Sequence, residues 1–169
     1  MKPSLWNRMD SYSRQIVPVM TTLVLVVVGL IPLHISGFSG IAPAFALMAV
    51  FHWGIYRPEL MPVFSVFLLG IFADALYGTP FGLHPLVYLG VYGAVTFQHG
   101  FFMDKSFAVV WLAFSLVAAA SAVISFIMVS AVSGAMAAPG PAFLQFFFTA
   151  AFFPALSWGM SGLHRLVME

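Results

Sequence analysis

The chain has 169 residues, of which 62% are hydrophobic and 7% charged, with a formal net charge of +1 and a mean hydropathy of +1.05. A water-soluble fold of this length cannot bury so much apolar surface, so the composition predicts one membrane domain. Cysteine is absent, which excludes disulfides, thiol nucleophiles and cysteine-bound metal, and six scattered basic residues supply no nucleic-acid-binding surface.

In chain order, residues 1–15 form a basic cytoplasmic or interfacial segment and residues 16–167 a single membrane domain. In the first segment Leu5, Met9 and Tyr12 recur at helical spacing between Lys2, Arg8, Asp10 and Arg14. That pattern fits either a short interfacial helix or a frayed basic tail that only sets orientation. The apolar run from Ile16 is too long for a cleavable signal core and reads as a retained span.

A helix crossing a hydrocarbon layer of about 30 Å needs roughly 20 residues. Six candidate spans follow: Ile16–Ile35, Phe38–Tyr56, Leu60–Tyr77, Leu83–Phe97, Phe107–Met136, which is long enough for a strongly tilted helix or a helix plus an interfacial turn, and Ala142–Val167. The predicted fold class is therefore all-α, a polytopic bundle of six transmembrane helices. Runs such as LVLVVVG lack the alternation of a β-barrel strand.

The connections are short, so neighbouring helices run antiparallel. Six crossings place Lys2, Arg8, Arg14, Arg57, Lys105 and Arg165 on one side, which the positive-inside rule makes cytoplasmic together with both termini. The alternative treats the second span, with Gly40 and Pro43 near its start, as a re-entrant hairpin. Five crossings would then put Lys105 and Arg165 on the outer face, against the charge rule.

Asp74 is the main charge inside a span. A carboxylate in lipid needs a protein or water partner, and Gly70 one turn earlier allows close approach of another helix. Two roles fit: a polar anchor for a partner helix or outward-open cavity, or a cap for the turn Gly78–Thr79–Pro80–Phe81–Gly82. In that turn Gly78 suits a left-handed helix end, Pro80 stiffens the chain, and Gly82 admits a sharp start to the next helix. His84 is placed to bond Asp74, and no nucleophile accompanies the pair.

Arg57–Pro58–Glu59 is a second compact element, with arginine at a helix C-terminus, proline stopping the helix and glutamate at the next start. His34, His52, His84, His99 and His164 show no zinc-ligand spacing, so no metal and no cofactor is expected. His52, Trp53 and Tyr56 read as an interfacial cluster. Thr22, Ser65, Thr79, Tyr88, Tyr92 and Thr96 are the main polar candidates within the bundle. Ala118, Ser121, Ala122 and Ser125 form small-residue faces on the fifth span, and Pro154 marks a kink position on the phenylalanine-rich sixth.

Pro43, His52–Trp53, Arg57–Pro58, Gly70, Asp74 and the run Gly78–Leu83 together resemble the MreD family of bacterial rod shape-determining membrane proteins. The clearest stretch is Leu69–Leu83, LGIFADALYGTPFGL. Carried over residue by residue, Arg57, Pro58, Gly70, Asp74, Gly78, Pro80 and Gly82 match the family pattern. The resemblance implies a non-catalytic inner-membrane scaffold of the elongation machinery, with a fold like the substrate-binding subunits of energy-coupling-factor transporters. It also implies binding to the single-span protein MreC, within a wider complex of MreB, RodA and a class B penicillin-binding protein. A competing reading from Asp74 and that fold likeness is a small-molecule-binding or transporter subunit.

Overall fold

A computed structural model describes residues 5–31, 33–35, 38–136 and 138–168. Among the described residues the chain forms seven helices: α1 (Leu5–Val28), α2 (Phe45–Tyr56), α3 (Val63–Tyr77), α4 (Leu83–Phe97), α5 (His99–Met103), α6 (Phe107–Ser133) and α7 (Pro139–Met168). The helical backbone of α1 runs through positions 15 and 16 without interruption. Pro18 and Pro154 lie within α1 and α7, which stay continuous as assigned helices.

By length and composition two segments, Phe107–Ser133 and Pro139–Gly162, suffice to cross a membrane. Ile16–Val28, Phe45–Tyr56, Val63–Tyr77 and Leu83–Phe97 are shorter apolar helices. Two expected spans are therefore trimmed at the end where they meet. Leu33–Ile35 (β1) and Phe38–Ile41 (β2) form a small antiparallel ribbon instead of helix, pairing Leu33 with Ile41 and Ile35 with Phe38. Gly40 is a poor helix residue and Pro43 biases its predecessor away from helical backbone, which delays α2 to Phe45. The expected connection Gln98–Ser106 likewise contains the short α5.

The most extensive helix pairings are α3 with α4, α6 with α7, and α1 and α4 with α2. α2 is the centre of the bundle: every residue from Ala46 to Ile55 is buried. An evenly apolar helix belongs in such a position. Phe51 makes edge-on ring contacts with Phe102, Phe114 and Phe153, at centroid distances of 6.4, 5.1 and 5.6 Å, and Phe114 stacks on Phe153 at 4.0 Å. Within lipid such contacts stabilise by close packing rather than by removal from water.

This centre corrects the interfacial reading of His52 and Trp53. Both are 2% exposed, and His52 Nδ1 lies 3.3 Å from the Ser157 hydroxyl on α7. Their rings fill space between helices because α2 has no free face.

Pro58–Leu60 forms a single 3₁₀ turn between α2 and α3. The Tyr92 hydroxyl of α4 lies 2.8 Å from the Pro58 carbonyl and 2.7 Å from that of Met61, and so donates into the turn. Arg57 meets Glu59 at 3.2 Å, an exposed pair of small energetic weight. Tyr92→Phe is expected to destabilise the fold by about 1–2 kcal/mol through loss of that donor. The check is a lowered thermal midpoint in detergent.

Candidate functional site

The candidate site is built on the α3–α4 hairpin, at the end opposite Arg57. Helical spacing puts Gly70 and Asp74 on the buried side of α3, facing the start of α4. Gly70 is buried because a Cβ there would stand 2.5 Å from Pro85 Cα and N and 3.0 Å from His84 carbonyl carbon. This contact draws the α4 backbone over α3 and brings the Asp74 carboxylate within reach of the turn.

Gly78 ends α3 with φ 64° and Gly82 starts α4 with φ 98°, both left-handed conformations costly for a residue with a side chain. Between them the chain reverses and points its donors at Asp74, which is 1% exposed. Oδ1 accepts from the Thr79 hydroxyl at 2.8 Å, from the His84 backbone N–H at 3.1 Å and from His84 Nδ1 at 2.7 Å. Oδ2 accepts from the Gly82 backbone N–H at 2.7 Å. Four bonds are what a carboxylate out of water requires, and they also serve the orphan amides of a helix start.

The carboxylate only accepts, so the His84 ring donates to it from Nδ1. The ring is held between Tyr77 and Tyr88, at centroid distances of 5.1 and 5.4 Å. Tyr77 in turn donates to the Val26 carbonyl at 2.8 Å and ties the end of α1 to α3.

Above this network lies a cavity of about 440 Å³. It is lined by Tyr77, Thr79, Leu83, His84 and Tyr88 and by Ala118, Ser121, Ala122 and Ser125 of α6. α7 contributes Gln145 and Thr149. Tyr88, which lines the cavity, is 3% exposed.

The structure thus gathers Gly70, Asp74, Gly78, Gly82 and His84 around one turn that includes Pro80, and leaves Arg57 and Pro58 at the far end of α3. Reasoning from sequence missed Gln145 and Thr149. Gln145 Nε2 donates to the Ala42 carbonyl at 3.1 Å, and the Thr149 hydroxyl accepts the Ala44 N–H at 3.0 Å, which fastens the irregular start of α2 to α7. Their signal was two polar residues four apart, one helical turn, on an otherwise apolar stretch.

No group of three or more His, Asp or Glu side chains is placed to hold a metal ion among the described residues. No curated protein and no solved structure matches the chain. The family model described as rod shape-determining protein MreD matches residues 9–160, which span every helix involved in the site. The chain therefore belongs to the MreD family: it is a multi-pass inner-membrane protein, not an enzyme, with an elongasome-associated role in determining rod shape.

Proposed function

We propose that the protein is a membrane scaffold that binds an MreC-like single-span protein and supports lateral peptidoglycan synthesis, within an assembly of MreB, RodA and a class B penicillin-binding protein. Six crossings, counting α1, α2, α3, α4, α6 and α7, leave both termini cytoplasmic. All lysines and arginines then share that side, and the cavity faces outward. The fold we infer is of the kind used by energy-coupling-factor binding subunits, with the outward cavity adapted to a protein segment.

The observation that carries this reading is the cavity itself. One wall is a small-residue face that permits close approach of a partner backbone, and the other offers the Tyr88 hydroxyl and the oriented His84 ring. Arg57 and Pro58 serve the cytoplasmic turn, while Gly70, Asp74, Gly78, Pro80, Gly82 and His84 hold the partner-facing wall in shape.

Ala122→Phe is expected to fill the cavity and lower co-purification of the MreC-like partner in mild detergent at least tenfold, with the yield of folded protein maintained. Unchanged recovery of the partner contradicts the reading. The cavity volume also lies within the range of small-molecule sites, which favours a second reading as a solute-binding subunit. A solute retained through purification and displaced by Ala122→Phe, without any effect on partner recovery, selects that reading.

A further inference from the structure

The α6–α7 hairpin packs into the bundle along half of its length. In α6 burial ends at Ser121, and in the described part of α7 it begins at Thr149. Residues 122–133 and 139–148, the far half, include no buried position. The near half is centred on Phe114 stacked on Phe153 at 4.0 Å, a pair that Phe51 of α2 meets edge-on at 5.1 and 5.6 Å. Trp111 Nε1 braces the same half by donating to the Ala150 carbonyl at 2.9 Å. The far half instead borders the cavity, with Ser125 and Val129 of α6 and Gln145 of α7 in its lining. A segment with few buried contacts opens at lower free energy than a packed one, so opening of this hairpin pivots on the aromatic stack.

At the boundary between the halves stand two hydrogen bonds, one helical turn apart on α7. Gln145 Nε2 donates to the Ala42 carbonyl at 3.1 Å, and the Thr149 hydroxyl accepts the Ala44 N–H at 3.0 Å. Ala44 caps α2 without a side-chain hydrogen bond of its own, so α7 supplies an acceptor that the start of α2 lacks. All four residues line the cavity. An occupant therefore meets these bonds directly, and its polar groups can exchange with them at little net cost.

We infer that Gln145 and Thr149 latch a movable half-hairpin. Released from Ala42 and Ala44, the far half of α6 and α7 swings on the Phe114–Phe153 stack away from α3 and α4 and widens the cavity. Resting on the function proposed above, this swing is the way in for the single-span partner. Gln145 and Thr149 then act as positioning residues that set the closed state.

The chain has no cysteine, so pairs of nitroxide labels can be placed at exposed positions and their distances read by double electron–electron resonance. Phe81→Cys with Val132→Cys reports on the cavity end, and Phe64→Cys with Leu112→Cys on the opposite end. Gln145→Ala combined with Thr149→Val removes both latch bonds and keeps the shape of the buried residue. In that variant the first pair is expected to gain a component longer by about 5 Å, half a helix–helix spacing, while the second pair stays unchanged. An unchanged first pair, or lengthening of both pairs, overturns the inference. Entry is read separately with Ala42→Cys and Gln145→Cys joined by a short bis-methanethiosulfonate before the purified partner is added in mild detergent. Partner recovery is expected to fall severalfold and to return with reductant; undiminished recovery overturns the swing as the way in. Failure of the cavity reading shows instead as full partner recovery by Ala122→Phe, and the distance measurement still decides the latch.

Discussion

Gly70→Leu is expected to prevent formation of the α3–α4 hairpin and to leave little folded protein in the membrane. A Cβ at this position meets backbone atoms of Pro85 at 2.5 Å, and backbone cannot rotate aside as a flexible side chain does. Even Gly70→Ala forces α4 away from α3, at a cost of about 3 kcal/mol, the upper part of the range for overpacking. The displacement also carries His84 and Gly82 off the Asp74 carboxylate, so loss of hydrogen bonds adds to the steric term. Gly90, with nothing within 4 Å of a built Cβ, is the control. Gly90→Ala should express and melt like the parent. Detergent thermal-shift and protease-resistance measurements on the three variants decide the matter, and a stable Gly70→Leu protein would show that the α3–α4 contact is not what holds the site.

Asp74→Ala is the second large effect, with an expected loss of about 3–5 kcal/mol because four donors lose the acceptor that a carboxylate 1% exposed gives them. Asp74→Asn separates the components. Its amide oxygen can retain the Oδ1 contacts, but its NH₂ group then faces the Gly82 N–H, donor against donor. The expected cost is about 1–3 kcal/mol, with membrane insertion preserved and the turn loosened. Hydrogen exchange at Gly82 should rise in Asp74→Asn while that of α6 stays unchanged. Identical exchange at Gly82 in the two proteins would remove Asp74 from its role as the turn's acceptor.

The α3–α4 hairpin was legible because turn chemistry is local. Gly78, Pro80 and Gly82 mark where the backbone must reverse, and one carboxylate at the end of an apolar run must find donors nearby. The Asp74–His84 contact follows from that requirement. The centre of the bundle was not legible for the opposite reason. An evenly apolar helix reads alike whether lipid or protein surrounds it, so nothing in Phe45–Tyr56 distinguishes the buried α2 from a lipid-facing span. His52 and Trp53 were misplaced for the same cause: amphipathic rings near a helix end suit an interface and equally suit a packed core.

The β1–β2 ribbon escaped because hydropathy over a span-length window averages across short strands, and only Gly40 and Pro43 hinted that helix could not begin at Phe38. The cavity could not be read at all. It forms where residues more than 100 positions apart in sequence, such as Ala42 and Gln145, meet. The small residues of α6 announced close packing, but not whether the space beside them is filled by this chain.

The central claim is that the outward cavity above the Asp74-held turn seats the MreC-like partner. Site-specific photo-crosslinking in growing cells tests it most directly, with a photoreactive residue at Ser125 or Val129 on the cavity wall and, for contrast, at Leu116, which is 74% exposed on the outside of α6. The account predicts partner adducts from positions 125 and 129 and none from 116. Adducts from 116 alone, with 125 and 129 silent, would contradict it and move the partner to the lipid-facing surface.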